Sequence, residues 1–237
     1  PHSCLDFSAL SWLSMLIAGL VVGLFGIVVE RVIIRFLYGR IVDTLLATWG
    51  LSLFLVGGVT TLFGPQSKSV INPLGNVGMG DYTLSQYSLV MMAIAVAMLA
   101  GTYALWRFTR AGLIVRGTMQ NPDMARGLGV NTGMVYMLTF GFGAALTGFA
   151  GAVLVPITGA APPMGIFFIA KAFITVISGG HLPLIGTISA TALFGAIDGT
   201  VAFAYSSVVG EMSVLFVAIV LLRLLPMGIT GRLRRGL

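Results

Sequence analysis

The sequence predicts an all-α integral membrane protein, a polytopic bundle of about seven transmembrane helices with a short helix in a cytoplasmic loop. Three observations carry this prediction. The 237 residues are 57% hydrophobic, and only 8% are charged. Soluble chains carry about 25% charged residues, so too little polar surface remains to cover a globule in water. Apolar runs of the length needed to cross a bilayer, about 20 residues in a helix, follow one another along most of the chain. Finally, the arginines cluster in alternate connections between those runs, as orientation in a membrane requires.

Taken in order, the first run extends from about Ala9 to Val29 and the second from about Val42 to Phe63. The third covers about Leu84 to Trp106, and the fourth about Met134 to Ile157. The fifth, about Ile166 to Ser178, is short. The sixth runs from about Leu184 to Tyr205 and the seventh from about Val208 to Leu225. One such helix, apolar all round, also fits the core of a large soluble protein, but seven in succession fit only a bilayer. No linker or charge run divides the chain, so residues 1–237 read as a single transmembrane domain.

The charges set the orientation. Arg31, Arg35 and Arg40 fall between the first two runs, and Arg107, Arg110, Arg116 and Arg126 between the third and fourth. Arg223, Arg232, Arg234 and Arg235 close the chain. In an alternating topology all of them share one side, which the positive-inside rule places in the cytoplasm. The opposite side holds Asp6, Lys68, Asp81 and Glu211. Pro1 then lies outside, and the expectation is that an odd number of crossings precedes it, so that the N-terminal helices of the domain are missing here.

Two connections are longer than turns. Gly64 to Tyr82, rich in Gly, Pro and Asn, reads as an external surface loop. The other, Thr109 to Gly133, is cytoplasmic and unusually polar for this chain. Within it Asn121 precedes Pro122, a pair that starts helices, and about two turns follow before Gly127 and Gly129 end them. Asp123 falls in the first turn, where the helix dipole favours a negative charge. Met124 and Leu128 share one face of this short helix, which would be unusually short and weakly amphipathic as a membrane-surface helix and better suits a protein partner.

Catalytic chemistry finds little support. The two histidines, His2 and His181, are far apart in this topology, so no His/Cys/carboxylate group has metal-ligand spacing. A single cysteine, Cys4, excludes an internal disulfide. Lys68 follows Ser67 and Lys171 follows Ala170, so neither belongs to a phosphate-binding loop, which places a glycine before its lysine. No cofactor or metal is expected. The basic residues are scattered rather than gathered with aromatics on one face, which argues against nucleic acid.

Other residues carry candidate roles. Gly141, Ala145, Gly148 and Gly151 in the fourth run are spaced to let a neighbouring backbone approach, either as static packing or as contacts that slide in gating. Gly179 and Gly180, before His181, Leu182 and Pro183, mark either a helix broken at membrane depth or a plain turn. Lys171 and Asp198 lie within apolar runs, where ionisable groups are functional candidates. Lys171 serves either as an anchor or in a pathway, and Asp198 approaches it if the fifth and sixth runs pack antiparallel. Glu211, nearer a helix end, is expected to be solvated.

The segment TRAGLIVRGTMQNPDMARGLGVNTGMVYMLTFGFGAALTGFAGAVL, Thr109 to Leu154, resembles the cytoplasmic coupling loop and following helix of branched-chain amino acid ABC importer permeases, a family with a urea and short-amide branch. ERVIIRFLYGRIVDTLLATWGLSL, Glu30 to Leu53, is similar to an earlier segment of that family, and KAFITVISGG, Lys171 to Gly180, to a later one. The chain departs from the family pattern at His181, Leu182 and Pro183, which follow the double glycine, and at Leu225 before Pro226.

What the resemblance implies is a permease subunit, not itself an enzyme, in a bacterial or archaeal inner membrane. Its partners would be ATP-binding-cassette ATPase subunits, a second permease subunit (identical or different) and a periplasmic or extracellular substrate-binding protein. Asn121, Met124, Ala125, Gly129 and Val130 match the family's ATPase-coupling pattern. The solute implied is a branched-chain amino acid or, from LLATWG, urea or an amide. The alternative is an ion-gradient-driven secondary transporter, which favours paired broken helices and buried carboxylates.

Overall fold

The structure is a computed structural model that describes residues 2–68, 76–79, 82–180 and 183–224. It is built of helices: α1 (His2–Val32), α2 (Ile41–Phe63), α3 (Gln86–Phe108), α4 (Arg110–Gln120), α5 (Pro122–Gly127), α6 (Thr132–Thr158), α7 (Met164–Gly179), α8 (Pro183–Ala204) and α9 (Ser207–Leu224), with a 3₁₀ turn at Ile34–Phe36. Each of the seven apolar runs coincides with one of the long helices. Among the described residues, five segments are long and apolar enough to cross a membrane: Trp12–Phe36, Val42–Phe63, Gln86–Phe108, Thr132–Thr158 and Gly186–Ala204. Helix α7 is apolar but shorter, and its 16 residues rise about 24 Å at 1.5 Å per residue, less than a hydrocarbon core of about 30 Å.

Two expectations about the connections change. The external loop contains an antiparallel hairpin of β1 (Asn76–Met79) and β2 (Tyr82–Ser85), with Val77 opposite Leu84. Gly80 and Asp81, which join the strands, are a hairpin-forming pair and lie outside the described residues. The cytoplasmic segment holds two helices rather than one, because Thr109 caps α4 by accepting from the Gly112 amide. His181, Leu182, Arg232, Arg234 and Arg235 also lie outside the described residues.

The chain divides into two compact units, residues 1–162 and 163–237. In the first, Met15 of α1, Tyr87 of α3 and Val153 of α6 are buried together, and the Tyr87 hydroxyl donates to the Val153 carbonyl at 2.6 Å. Lys68 and Ala160 exchange backbone hydrogen bonds at 2.9 Å, which ties the start of the external loop to the end of α6. In the second unit Ala190 and Phe194 of α8 pack with Ala218 of α9, and Ile174 of α7 closes that core. Among the residues of α2 whose burial is described, 42–63, none is buried in the first unit.

Candidate functional site

The segment between α3 and α6 is a projection built from local hydrogen bonds. Asn121 ends α4 and caps α5, its Oδ1 accepting from the amides of Asp123 at 3.1 Å and Met124 at 3.0 Å. At the other end Gly129 takes φ +85°, a conformation open to glycine at little cost. The Val130 amide then reaches the Ala125 carbonyl at 3.0 Å and the Gly129 amide reaches Arg126 at 2.9 Å, a Schellman closure that satisfies the last carbonyls. Arg126 bridges Asp123 at 3.3 Å and the hydroxyl of Thr132, the first residue of α6, at 2.9 Å. Asn131 caps α6 through the Met134 amide.

This geometry separates the five candidate coupling residues by what they do. Asn121, Gly129 and Val130 shape the projection, and Ala125 is buried beneath it. Met124, 68% exposed, projects from it beside Leu128, 82% exposed. Two apolar side chains are thus exposed side by side in sequence on a helix capped at both ends.

Next to the projection, α3, α4 and α6 enclose an apolar cleft of about 570 Å³, lined among others by Trp106, Val115, Val130, Leu138 and Phe142. Gly112 makes the α3–α4 corner possible, since a Cβ there would collide with the Trp106 backbone. At the cytoplasmic end of α1, Glu30 is 2% exposed and accepts from the Tyr38 hydroxyl at 3.1 Å. The Tyr38 hydroxyl is pushed up to about 12 by burial first and by its bond to Glu30 second. Raised above its ordinary value of 10, it favours the neutral form in the folded state. Whatever stability the contact contributes is therefore complete below pH 10 and is lost only as pH rises through 12.

The small residues of α6 face α1. A Cβ on Gly141 would strike the Ile27 side chain, and one on Gly148 would come 2.6 Å from the Cβ of Val22. Ala145 lies against Gly23, whose own Cβ would fall 2.7 Å from that of Ala145, and Ala144 stands in the same relation to Gly26 at 2.5 Å. The matching glycines on α1, Gly19, Gly23 and Gly26, were not singled out in the sequence, although their spacing there is the same signal. Gly151 lies off this seam, because a Cβ there meets nothing within 4 Å.

In the second unit Gly179 ends α7 directly against Gly186 of α8, backbone to backbone, and Gly180 turns the chain with φ +79°. The Lys171 ammonium does not pair with Asp198. It meets the Glu211 carboxylate of α9 at 2.8 Å, which also corrects the expectation that Glu211 is merely solvated. Asp198 instead lies over Gly210, where a Cβ would come 2.7 Å from its Oδ1. The rotation of three nearly uniformly apolar helices decides this pairing, and sequence spacing carries no trace of it. No group of three or more His, Cys, Asp or Glu residues able to hold a metal ion occurs among the described residues.

Residues 4–225 match the family described as branched-chain amino acid transport system, permease component. The LivH permease protein of the high-affinity branched-chain amino acid transport system of Salmonella typhimurium is 31% identical over 79% of this chain and 63% of its own length. The corresponding BraD permease protein of Pseudomonas aeruginosa is 30% identical over 96% of this chain and 77% of its own. A probable LivH of Methanocaldococcus jannaschii is 25% identical over 64% of this chain and 51% of its own. The chain thus spans about half to two thirds of the length of several relatives it matches, and no solved structure matches it. With a family match over nearly its whole length and a predominantly helical membrane architecture, the chain belongs to the permease-component family of branched-chain amino acid transport systems.

Proposed function

We propose that the chain is the permease subunit of an ATP-binding-cassette importer in a bacterial or archaeal inner membrane, forming part of the path for branched-chain amino acids or a related small solute. On this reading ATP is hydrolysed by separate ATPase subunits seated on the α5 projection. A second permease completes the path, and an external binding protein delivers the solute. One observation carries the reading: α5 is capped at both ends and tied to α6 by Arg126, so that Met124 and Leu128 are held outward on a rigid lever. A push on such a lever reaches α6 directly, and through the α1–α6 seam the body of the first unit.

The test is co-purification of the complete importer. Met124→Ser with Leu128→Ser, which leaves the caps in place, is expected to abolish ATPase association while the chain still inserts. Association retained at the wild-type level would overturn the reading. The alternative of a gradient-driven transporter draws on the Lys171–Glu211 pair within apolar helices, a feature of ion-coupled carriers. Uptake measured with the proton gradient collapsed and ATP intact separates the two, since the importer continues and the carrier stops.

A further inference from the structure

The Lys171–Glu211 pair sits on a surface unlike itself. At 1.5 Å per residue Glu211 lies about 6 Å along α9 from its first residue, and Lys171 about 10 Å along α7. Within four residues of them along α7 and α9, Phe167, Phe168, Phe173, Met212 and Leu215 are exposed apolar side chains, the composition of a face that meets acyl chains or other helices. Yet the two charged side chains are 47% and 55% exposed. Ionised groups lose strong hydration when they leave water, and mutual attraction offsets that loss only when their remaining hydrogen-bonding capacity is also satisfied. A pair uncovered on one side therefore needs water or polar groups on that side.

Snorkelling explains a lone lysine, whose long stem carries the ammonium to the headgroups. It does not explain this one, because the Lys171 ammonium is held by a carboxylate on a neighbouring helix. Glu211 has too short a side chain to reach far. A second carboxylate stands close by, since Asp198 lies over Gly210, the residue before Glu211. One cation and two anions thus gather near the same end of the second unit, on three different helices.

We propose that the α7–α9 face around Lys171 and Glu211 lines the water-filled solute path of the permease, and that the pair is a specificity contact for dipolar solutes. The Lys171 ammonium offers its hydrogen bonds to a carboxylate, and Glu211, with Asp198 beside it, accepts from an ammonium. A zwitterion replaces the internal pair with two matched contacts at no net change in charge, whereas urea or an amide has neither charged end. This inference rests on the permease reading, and it adds the residues that meet the solute and the reason they discriminate.

The experiment uses the complete importer in right-side-out membrane vesicles, with the single cysteine, Cys4, replaced by serine. Lys171→Cys, Glu211→Cys and, as an apolar-face reference, Phe216→Cys are exposed to a charged, membrane-impermeant methanethiosulfonate. Positions 171 and 211 are expected to react and position 216 to stay unmodified. Equal, low reactivity at all three, as burial against lipid or a second subunit gives, overturns the path assignment. This readout needs neither transport nor ATPase docking, so its failure is distinct from failure of the importer reading.

Uptake of leucine and of acetamide then tests discrimination. Lys171→Gln and Glu211→Gln are each expected to slow leucine uptake about tenfold or more, the scale of a lost hydrogen bond to a charged group, with acetamide uptake unchanged and Lys171→Arg close to wild type. Equal losses for both solutes, or none for leucine, overturn the specificity role. Membrane levels of each variant, measured in parallel, separate these outcomes from misfolding.

Discussion

In the first unit α1 and α6 meet where side chains are absent, Gly23 against Ala145 and Gly141 against Ile27. In the second, α7 and α9 are joined by the Lys171–Glu211 ion pair. The contrast follows from the solvent. Between apolar helices in lipid there is no hydrophobic gain on association, so contact must come from close van der Waals packing or from polar bonds. A seam of glycines leaves no room for an added carbon, since at Gly23, Gly26, Gly141 and Gly148 it would fall within 3 Å of a side chain on the facing helix. An ion pair tolerates substitution of either partner structurally but changes what its face can bind. The two regions should therefore fail differently, the first in assembly and the second in chemistry.

The sharpest way to break this contrast is Gly141→Leu. Its side chain would overlap Ile27, and overpacking of this kind costs about 1–3 kcal/mol or more. The expected outcome is a chain that no longer yields a stable, detergent-resistant fold in a thermal-melt assay, partly restored by Ile27→Ala. Wild-type stability would mean that α1 and α6 are not packed this closely.

Tyr87→Phe probes a polar bond inside the same unit. It leaves the buried Val153 carbonyl without the Tyr87 hydroxyl, a loss of about 1–2 kcal/mol to be read as a lowered melting temperature without loss of expression. Lys171→Met should cost less, about 0.6 kcal/mol as polar contacts in membrane bundles average, because the pair is half exposed. A stability loss as large as that of Tyr87→Phe would make the pair structural and erase the contrast. The smallest effect belongs to Gly151→Ala, whose new methyl meets no neighbouring described element within 4 Å, so the stability should change by no more than about 0.5 kcal/mol. A loss rivalling that of Gly141→Leu would instead place another subunit against Gly151 in the assembled complex.

How far the site could be read in advance depends on how local its determinants are. Asn121 and Gly129 were legible because a cap acts within a few residues, and a Pro after Asn or a Gly after the last turn needs no tertiary partner. Gly141, Ala145 and Gly148 were legible as a small-residue stripe, but their partners Gly19, Gly23 and Gly26 were not, because the stripe does not say which helix it meets. Helix α4, RAGLIVRGTMQ, was missed although its apolar residues favour one face, because its low overall hydropathy reads as part of a polar connection between long apolar runs.

The sequence alone determined the solvent, the apolar runs, the gathering of the arginines in alternate connections and the capped helix between the third and fourth runs. These follow from hydropathy, charge and short-range hydrogen bonding, which each residue carries with it. Only the tertiary structure decided that Lys171 meets Glu211 rather than Asp198, that α1 is the partner of α6, and that Gly151 faces away. Helices that are apolar on every side have no periodic face to fix their rotation, so which residues meet is settled when the backbones pack, and not before.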